Sequence, residues 1–285
     1  MRVARHELVL EPRQSLPPIY ALLTAIAAIV LGLALSSVLF LTAGSGVVAA
    51  YRAVFSYAFF NPHGLTATVY RSIYILFCTY AFLVPFRAGL WNIGLPGQVF
   101  AGGLAAFAVP VILRAGDGQG GLPPGLLIVL MVAAAAAAGA AVGGFAGILR
   151  ARLQVSEILV TMMLNSILFW LVSFMIKEGG PFMGETAEGE SISLPLALHA
   201  PSLWGVPFTA VVALAAAVFL DVLFAKTALG YRIRALGENP AAARYGGIIP
   251  VTLSLLVFLL GGAFAGLAAY HNFAAIPGVY KIPGN

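Results

Sequence analysis

The chain has 285 residues, of which 61% are hydrophobic and only 9% charged, with a formal net charge of +5. Soluble domains carry about 25% charged residues, so this composition excludes a water-facing globule and makes lipid the solvent. Its Lys and Arg residues sit at the ends of apolar runs and form no patch, which excludes nucleic acid as a partner.

Residues 1–15 are charged and precede an apolar run too long for the core of a cleavable signal peptide. We take 1–18 as a cytoplasmic N-terminal segment and 19–285 as a transmembrane domain. A hydrocarbon core about 30 Å thick needs about 20 apolar residues in a helix. Seven runs are read as spans: 19–41, 72–86, 99–113, 126–149, 158–176, 206–223 and 249–270. The expected fold is all-α, a polytopic helical bundle in a membrane.

After the first span, residues 42–71 form a long loop containing VVAAYRAVFSYAFF, an aromatic amphipathic stretch suited to lying at the interface. The second and third spans are short and flank RAGLWNIGLPGQ, residues 87–98, which is rich in Gly and carries Pro96. Irregular backbone at membrane depth is tolerated only where protein buries it or where it lines a water-filled cavity. Trp91, Asn92, Gly94, Gly97 and Gln98 are therefore candidates for a solute pathway. Cys78, the single cysteine, lies in the second span and reads as a small packing residue.

The fourth span contains Gly139, Gly143 and Gly147 after an alanine run, and the seventh contains Gly262 and Gly266. In lipid, such ridges let helix backbones approach closely. In the fifth span Thr161 and Asn165 stand four residues apart, on one helix face. An Asn in hydrocarbon needs a partner, either another helix or a polar solute. Glu157 and Asp221 lie near the ends of the fifth and sixth spans, within reach of water, Arg152 or Lys226. No carboxylate sits near a midplane, which disfavours proton coupling. Residues 177–205 form an acidic loop rich in Gly and Pro, either solvated or facing an external partner.

Residues 226–248, KTALGYRIRALGENPAAARYGGI, form a basic segment between two spans. Asn239 can cap a short Ala-rich helix with Pro240 at its first position, ending at Gly246-Gly247. Gly230 and Gly237 are read as turn residues that present this helix. The bland alternative is a positive loop that only sets orientation. With the N-terminus inside, the inner segments hold Arg2, Arg5, Arg13, Arg87, Arg150, Arg152, Lys226, Arg232, Arg234 and Arg244, ten in all. The outer ones hold Arg52, Arg71, Arg114, Lys177 and Lys281, which is five, together with Asp117, Glu178, Glu185, Glu188 and Glu190. The positive-inside rule therefore favours N-in. There is no GxxxxGK[ST], HExxH or CxxC element, and the four histidines are scattered, so neither ATP binding by a phosphate loop nor a metal site is expected.

Three segments carry one family resemblance. FRAGLWNIGLPGQVFAGGLAA (86–106) resembles the signature loop of simple-sugar and nucleoside permeases of ABC importers. VSEILVTMMLNSI (155–167) is similar to a later span of that family, and TALGYRIRALGENPAAARYGGI (227–248) resembles its coupling loop. The nucleoside-type branch fits best, through NIG-x-x-GQ and the Met-Leu-Asn element. Pro96 departs from the family, which has an acidic residue there. The resemblance implies a bundle like that of type II importers in the bacterial inner membrane, working by alternating access. It also implies a second permease subunit, an external solute-binding protein and a separate ATPase that binds ATP and Mg, with no cofactor in this chain. On this view, segment 224–248 is the ATPase-coupling loop and uses Gly230, Arg232, Arg234, Gly237, Asn239, Pro240, Ala242 and Arg244. Further spans are expected beyond Asn285, making this chain incomplete at its C-terminus. An ion-coupled secondary transporter is the alternative, and a lipid-embedded enzyme or scaffold a more distant one.

Overall fold

The structure, a computed structural model, describes residues 17–113, 122–177, 179–184, 191–276 and 281–282. Arg2, Arg5, Arg13, Arg114, Asp117, Glu178, Glu185, Glu188 and Glu190 lie outside the described residues. Seven described helices are long and apolar enough to cross a membrane. The chain divides into two compact units, Met1–Leu65 and Thr66–Asn285.

The first unit holds α1 (Pro18–Thr42) and α2 (Val47–Phe55), which continues as a π-helical turn, Ser56–Phe60. Helix α1 is apolar on all sides, and nothing in its span is buried. Tyr51 ties α2 back to α1: its hydroxyl donates to the Leu33 carbonyl and lies 2.7 Å from Ser36 Oγ, and its ring stands edge-on to Phe40 at 5.2 Å. The amphipathic stretch expected at the interface is thus a helix folded against its predecessor.

Helix α3 (Pro62–Arg87) starts in the first unit and runs through the second. At 26 residues it is not the short span expected from residues 72–86. His63, Thr66, Thr68 and Arg71 lower the hydropathy of its first turns, yet Asn61 starts it firmly. Asn61 Oδ1 accepts from the His63 and Gly64 amides at 2.9 and 3.2 Å, and Pro62 occupies the first position.

The second unit continues with α4 (Leu95–Ile112), α5 (Pro124–Leu153), α6 (Glu157–Ile176), α7 (Phe208–Lys226), α8 (Ala228–Glu238), α9 (Pro240–Tyr245) and α10 (Pro250–Tyr270). Helix α10 is the central one, packed on α5 and α4. The expected glycine ridges face each other across that contact. A methyl on Gly139 would strike the Gly262 carbonyl, one on Gly143 the Phe258 carbonyl, and one on Gly266 the Ala135 carbonyl. Gly102 of α4 joins the seam, where its Cβ would lie 2.8 Å from Gly266 Cα. Small residues thus let three backbones touch, with dispersion contacts in place of a hydrophobic drive that lipid cannot supply.

One end of this unit is sealed by long-range bonds. His271 lies buried in a π-helical turn, His271–Ala275, with Nδ1 2.7 Å from Thr209 Oγ1 of α7 and Nε2 2.8 Å from the Tyr70 carbonyl of α3. The Ser191 amide donates to the Ile282 carbonyl at 3.1 Å, and the Ala200 amide to the Ala274 carbonyl at 3.0 Å. A two-stranded hairpin, β1 (Ser202–Leu203) and β2 (Val206–Pro207), turns through Trp204 and Gly205, both at positive φ, and leads into α7. The opposite end carries α8, α9 and the break between α3 and α4.

Candidate solute pathway and coupling site

The break is built by one proline and one glycine. Pro85, inside α3, has no N–H, so the Ala81 carbonyl loses its helical partner. Helix α3 then stops in a Schellman turn: Leu90 N donates to Pro85 O at 3.1 Å and Gly89 N to Phe86 O at 3.0 Å, with Gly89 at φ +74°. Irregular backbone runs only to Gly94, and α4 begins at Leu95, so of the segment 87–98, whose 89–98 part is expected from its sequence to be non-helical or hinged, the last four residues are helical.

Side-chain amides close the break. Asn92 Nδ2 donates to the freed Ala81 carbonyl at 3.4 Å and to Gln98 Oε1 at 3.1 Å, while Gln98 Nε2 donates back to Asn92 Oδ1 at 3.0 Å. Both residues are fully buried, at 0% and 1% exposure. Asn92 Oδ1 also accepts from Gly94 N at 3.2 Å. The two amides are therefore spent on each other and on backbone, not presented to a cavity.

Asn165 of α6 does the same from outside the loop. Its Oδ1 accepts from Gly97 N at 2.8 Å, capping one orphan donor in the first turn of α4, and its Nδ2 donates to the Ile93 carbonyl at 3.0 Å. Gly97 is needed for this approach, since a Cβ there would lie 2.9 Å from Asn165 Oδ1. Thr161 lies on the same face of α6, as its spacing predicts. Its hydroxyl donates to the Glu157 carbonyl at 2.7 Å, and its Cβ would be 3.0 Å from a Cβ on Gly94. Pro96 sits in the first turn of α4, where a missing N–H leaves no bond unmade. Trp91 faces outward, 48% exposed and edge-on to Phe82 and Phe86 at 5.9 and 5.7 Å, and Ile93 and Pro96 are exposed beside it.

The basic segment folds as two helices, not one. Sequence reading missed α8, because alternating Arg and apolar residues do not advertise a helix. Its signal was Thr227, whose Oγ1 accepts from Gly230 N at 3.0 Å as an N-cap. Asn239 ends α8 and caps α9, accepting from Ala242 N at 3.0 Å with Pro240 next to it, as the sequence predicts. Gly246 and Gly247 end α9, with Gly247 at φ +77°. Gly230 and Gly237 are not turn residues. Both lie inside α8, where a side chain would strike the Leu223 carbonyl in one case and lie 2.5 Å from the Arg87 carbonyl oxygen in the other. They are glycines of close approach.

A groove of about 470 Å³ separates α8 from α9, lined by Tyr231, Arg232, Ala235, Asn239 and Ala242 among others. Arg232, Arg234, Ala242 and Arg244 are exposed. Glu157 pairs with Arg150 at 3.1 Å, not with Arg152. Asp221 shares a cleft with Arg87 and Arg234 but forms no ion pair among the described residues.

The profile of the family described as branched-chain amino acid transport system / permease component matches residues 64–282. The chain is 33% identical to the glucose ABC transporter permease protein TsgB13 of Haloferax volcanii, over 96% of this chain and 74% of that protein. It is 31% identical to the guanosine ABC transporter permease protein NupP of Bacillus subtilis, over 91% and 75% respectively. The nucleoside ABC transporter permease protein NupB of Lactococcus lactis is 29% identical, over 86% of this chain and 68% of its own length. No solved structure matches. A profile that runs from the start of α3 to the last described residues, and relatives aligned along nearly the whole chain, make this protein a member of the branched-chain amino acid transport system / permease component family, an ABC permease of the simple-sugar and nucleoside type.

Proposed function

We propose that this chain is the permease subunit of an ATP-driven importer and carries a nucleoside or a simple sugar inward by alternating access. The observation that carries this reading is the pairing, at one end of the second unit, of a broken span with the exposed α8–α9 helices. The relatives named for glucose, guanosine and nucleoside transport support the solute class. The exposed ring of Trp91 suits stacking on a purine or on the apolar face of a sugar. Asn92, Gln98 and Asn165 act on transport by holding the loop that carries Trp91, while Thr161 packs behind it.

In this reading α9 docks on an ATPase subunit, which holds ATP and Mg and does the chemistry. Ala242 gives close approach, and Arg232, Arg234 and Arg244 form a charged rim. A second permease subunit and an external binding protein complete the complex in the plasma membrane. Arg87, Arg150, Arg152, Lys226, Arg232, Arg234 and Arg244 gather at the α8–α9 end, against Arg71, Lys177 and Lys281 at the other, which supports a cytoplasmic α8–α9 end and an N-in topology.

Uptake of labelled guanosine and glucose into vesicles, with and without ATP and the ATPase, tests the proposal. ATP-dependent accumulation of either solute is the expected result. Accumulation driven by an ion gradient without ATP would replace it with a secondary transporter. Cysteines placed at Glu238 and Trp204 in a Cys78-free variant should label from opposite sides of the membrane.

A further inference from the structure

Helix α8 rests on two glycines. At Gly230 it lies against the last turn of α7. At Gly237 it lies on the turn that ends α3: a Cβ there would be 2.5 Å from Arg87 O and 3.1 Å from both Ala88 C and Gly89 N. The contact is mutual, because a Cβ on Gly89 would be 3.3 Å from Gly237 Cα. Two backbone segments far apart in sequence thus touch without any side chain between them.

What lies on each side of this contact is stiff. Beyond Gly89, Leu90 is buried, the Asn92–Gln98 amide pair closes the loop, and Asn165 braces it on α6. Just after Gly237, α8 joins α9 through a single residue, Asn239, which serves as cap to both. The other exit from α9 is a turn at Gly247, where Gly247 N donates to Arg244 O and Ile248 N to Ala243 O, both at 3.0 Å, and it leads to α10, which is locked in the glycine seam. A push on α9 therefore reaches the broken loop through the Gly237–Gly89 backbone contact, while on the other side it meets α10, held in the seam.

We infer that the Gly237–Gly89 contact is the joint through which movement of α8–α9 reaches the broken loop. Gly89 and Leu90 are its receiving residues, and the loop with Trp91 and Ile93 is the part it moves. The inference rests on the reading of α9 as the ATPase dock. It adds the route by which a docked ATPase acts on the pathway.

The test uses the complete complex in nanodiscs, with a nitroxide at residue 93 (Ile93→Cys in a Cys78→Ser background). Trapping with ATP and vanadate should change the spectrum when the joint is intact. In Gly237→Ala the complex should still co-purify with its ATPase, but the spectral change should vanish. In sealed proteoliposomes, ATP-driven uptake by the same variant should fall by about tenfold, within the usual range of coupling between sites. Leu90→Gly adds slack without bulk and should give the same two losses, so it carries the test if Gly237→Ala does not assemble. A nitroxide response and uptake that persist in both assembled variants overturn the joint. Ala242→Trp separates the two readings: normal transport in that variant removes the dock and the joint together. Loss of transport there, with normal coupling in Gly237→Ala and Leu90→Gly, removes the joint alone.

Discussion

Glycine meets backbone in two regions of this protein, and the surroundings differ. Along the α5–α10 seam the contacts come in series, Gly139, Gly143, Gly262 and Gly266, on continuous helices whose backbone bonds are all made within the helix. At the α8–α9 end, Gly237 meets Gly89 as a single pair, next to a helix break with irregular backbone on one side. A row of contacts between unbroken helices has no soft direction. A single contact beside a break can tilt. The same residue type thus makes a static core in one place and a place to move in the other.

The seam should be the less forgiving. Gly143→Leu drives a side chain into the Phe258 carbonyl, where backbone cannot yield as a side-chain tip can. Overpacking costs about 1–3 kcal/mol or more, and with backbone as the obstacle we expect loss of monodisperse protein after detergent extraction. Recovery of normal yield and melting temperature would show that the seam can open. Ala242→Trp, on exposed α9, should leave yield and melting temperature intact while abolishing ATP-driven uptake. Asn165→Ala falls between the regions. It leaves the part-buried Gly97 N–H without its partner, a cost of about 1–3 kcal/mol, and frees the Ile93 carbonyl, whose bond to Asn165 is exposed. A lowered melting temperature with reduced uptake is expected, and wild-type values for both would mean that the loop is braced elsewhere. Arg244→Ala should do least, because exposed ion pairs contribute about 0–1 kcal/mol. Uptake that collapses in that variant would turn a rim residue into a central one.

The seam was legible in the sequence because lipid leaves small residues few other reasons to recur at four-residue spacing. The α9 cap was legible because Asn-Pro ahead of an alanine run has a local mechanism. The amide lock was not. Asn92 and Gln98 are six residues apart, a spacing at which no regular element brings side chains together, and only the turn at Gly89 and the start of α4 make them meet. Their polarity in an apolar stretch suggested a solute, when the freed Ala81 carbonyl of a proline-containing helix was the nearer need. The His271–Thr209–Tyr70 connection was invisible for the same reason, since its members belong to three helices. The first turns of α3 were missed because hydropathy registers His63, Thr66, Thr68 and Arg71 but not the Asn61 cap.

The hairpin before α7 has a consequence for the thickness of membrane this protein suits. Trp204, at its tip, is 95% exposed, with Leu203 beside it also bare to solvent. Indole rings favour the headgroup layer, and Lys226, the last residue of α7, can send its ammonium to water at the far side. Between them α7 has 19 residues, about 28 Å at 1.5 Å per residue, against a hydrocarbon core of about 30 Å. Anchored at both ends, α7 acts as a ruler. A thinner bilayer must tilt it or lift the indole into water, and a thicker one must draw the indole into the acyl chains.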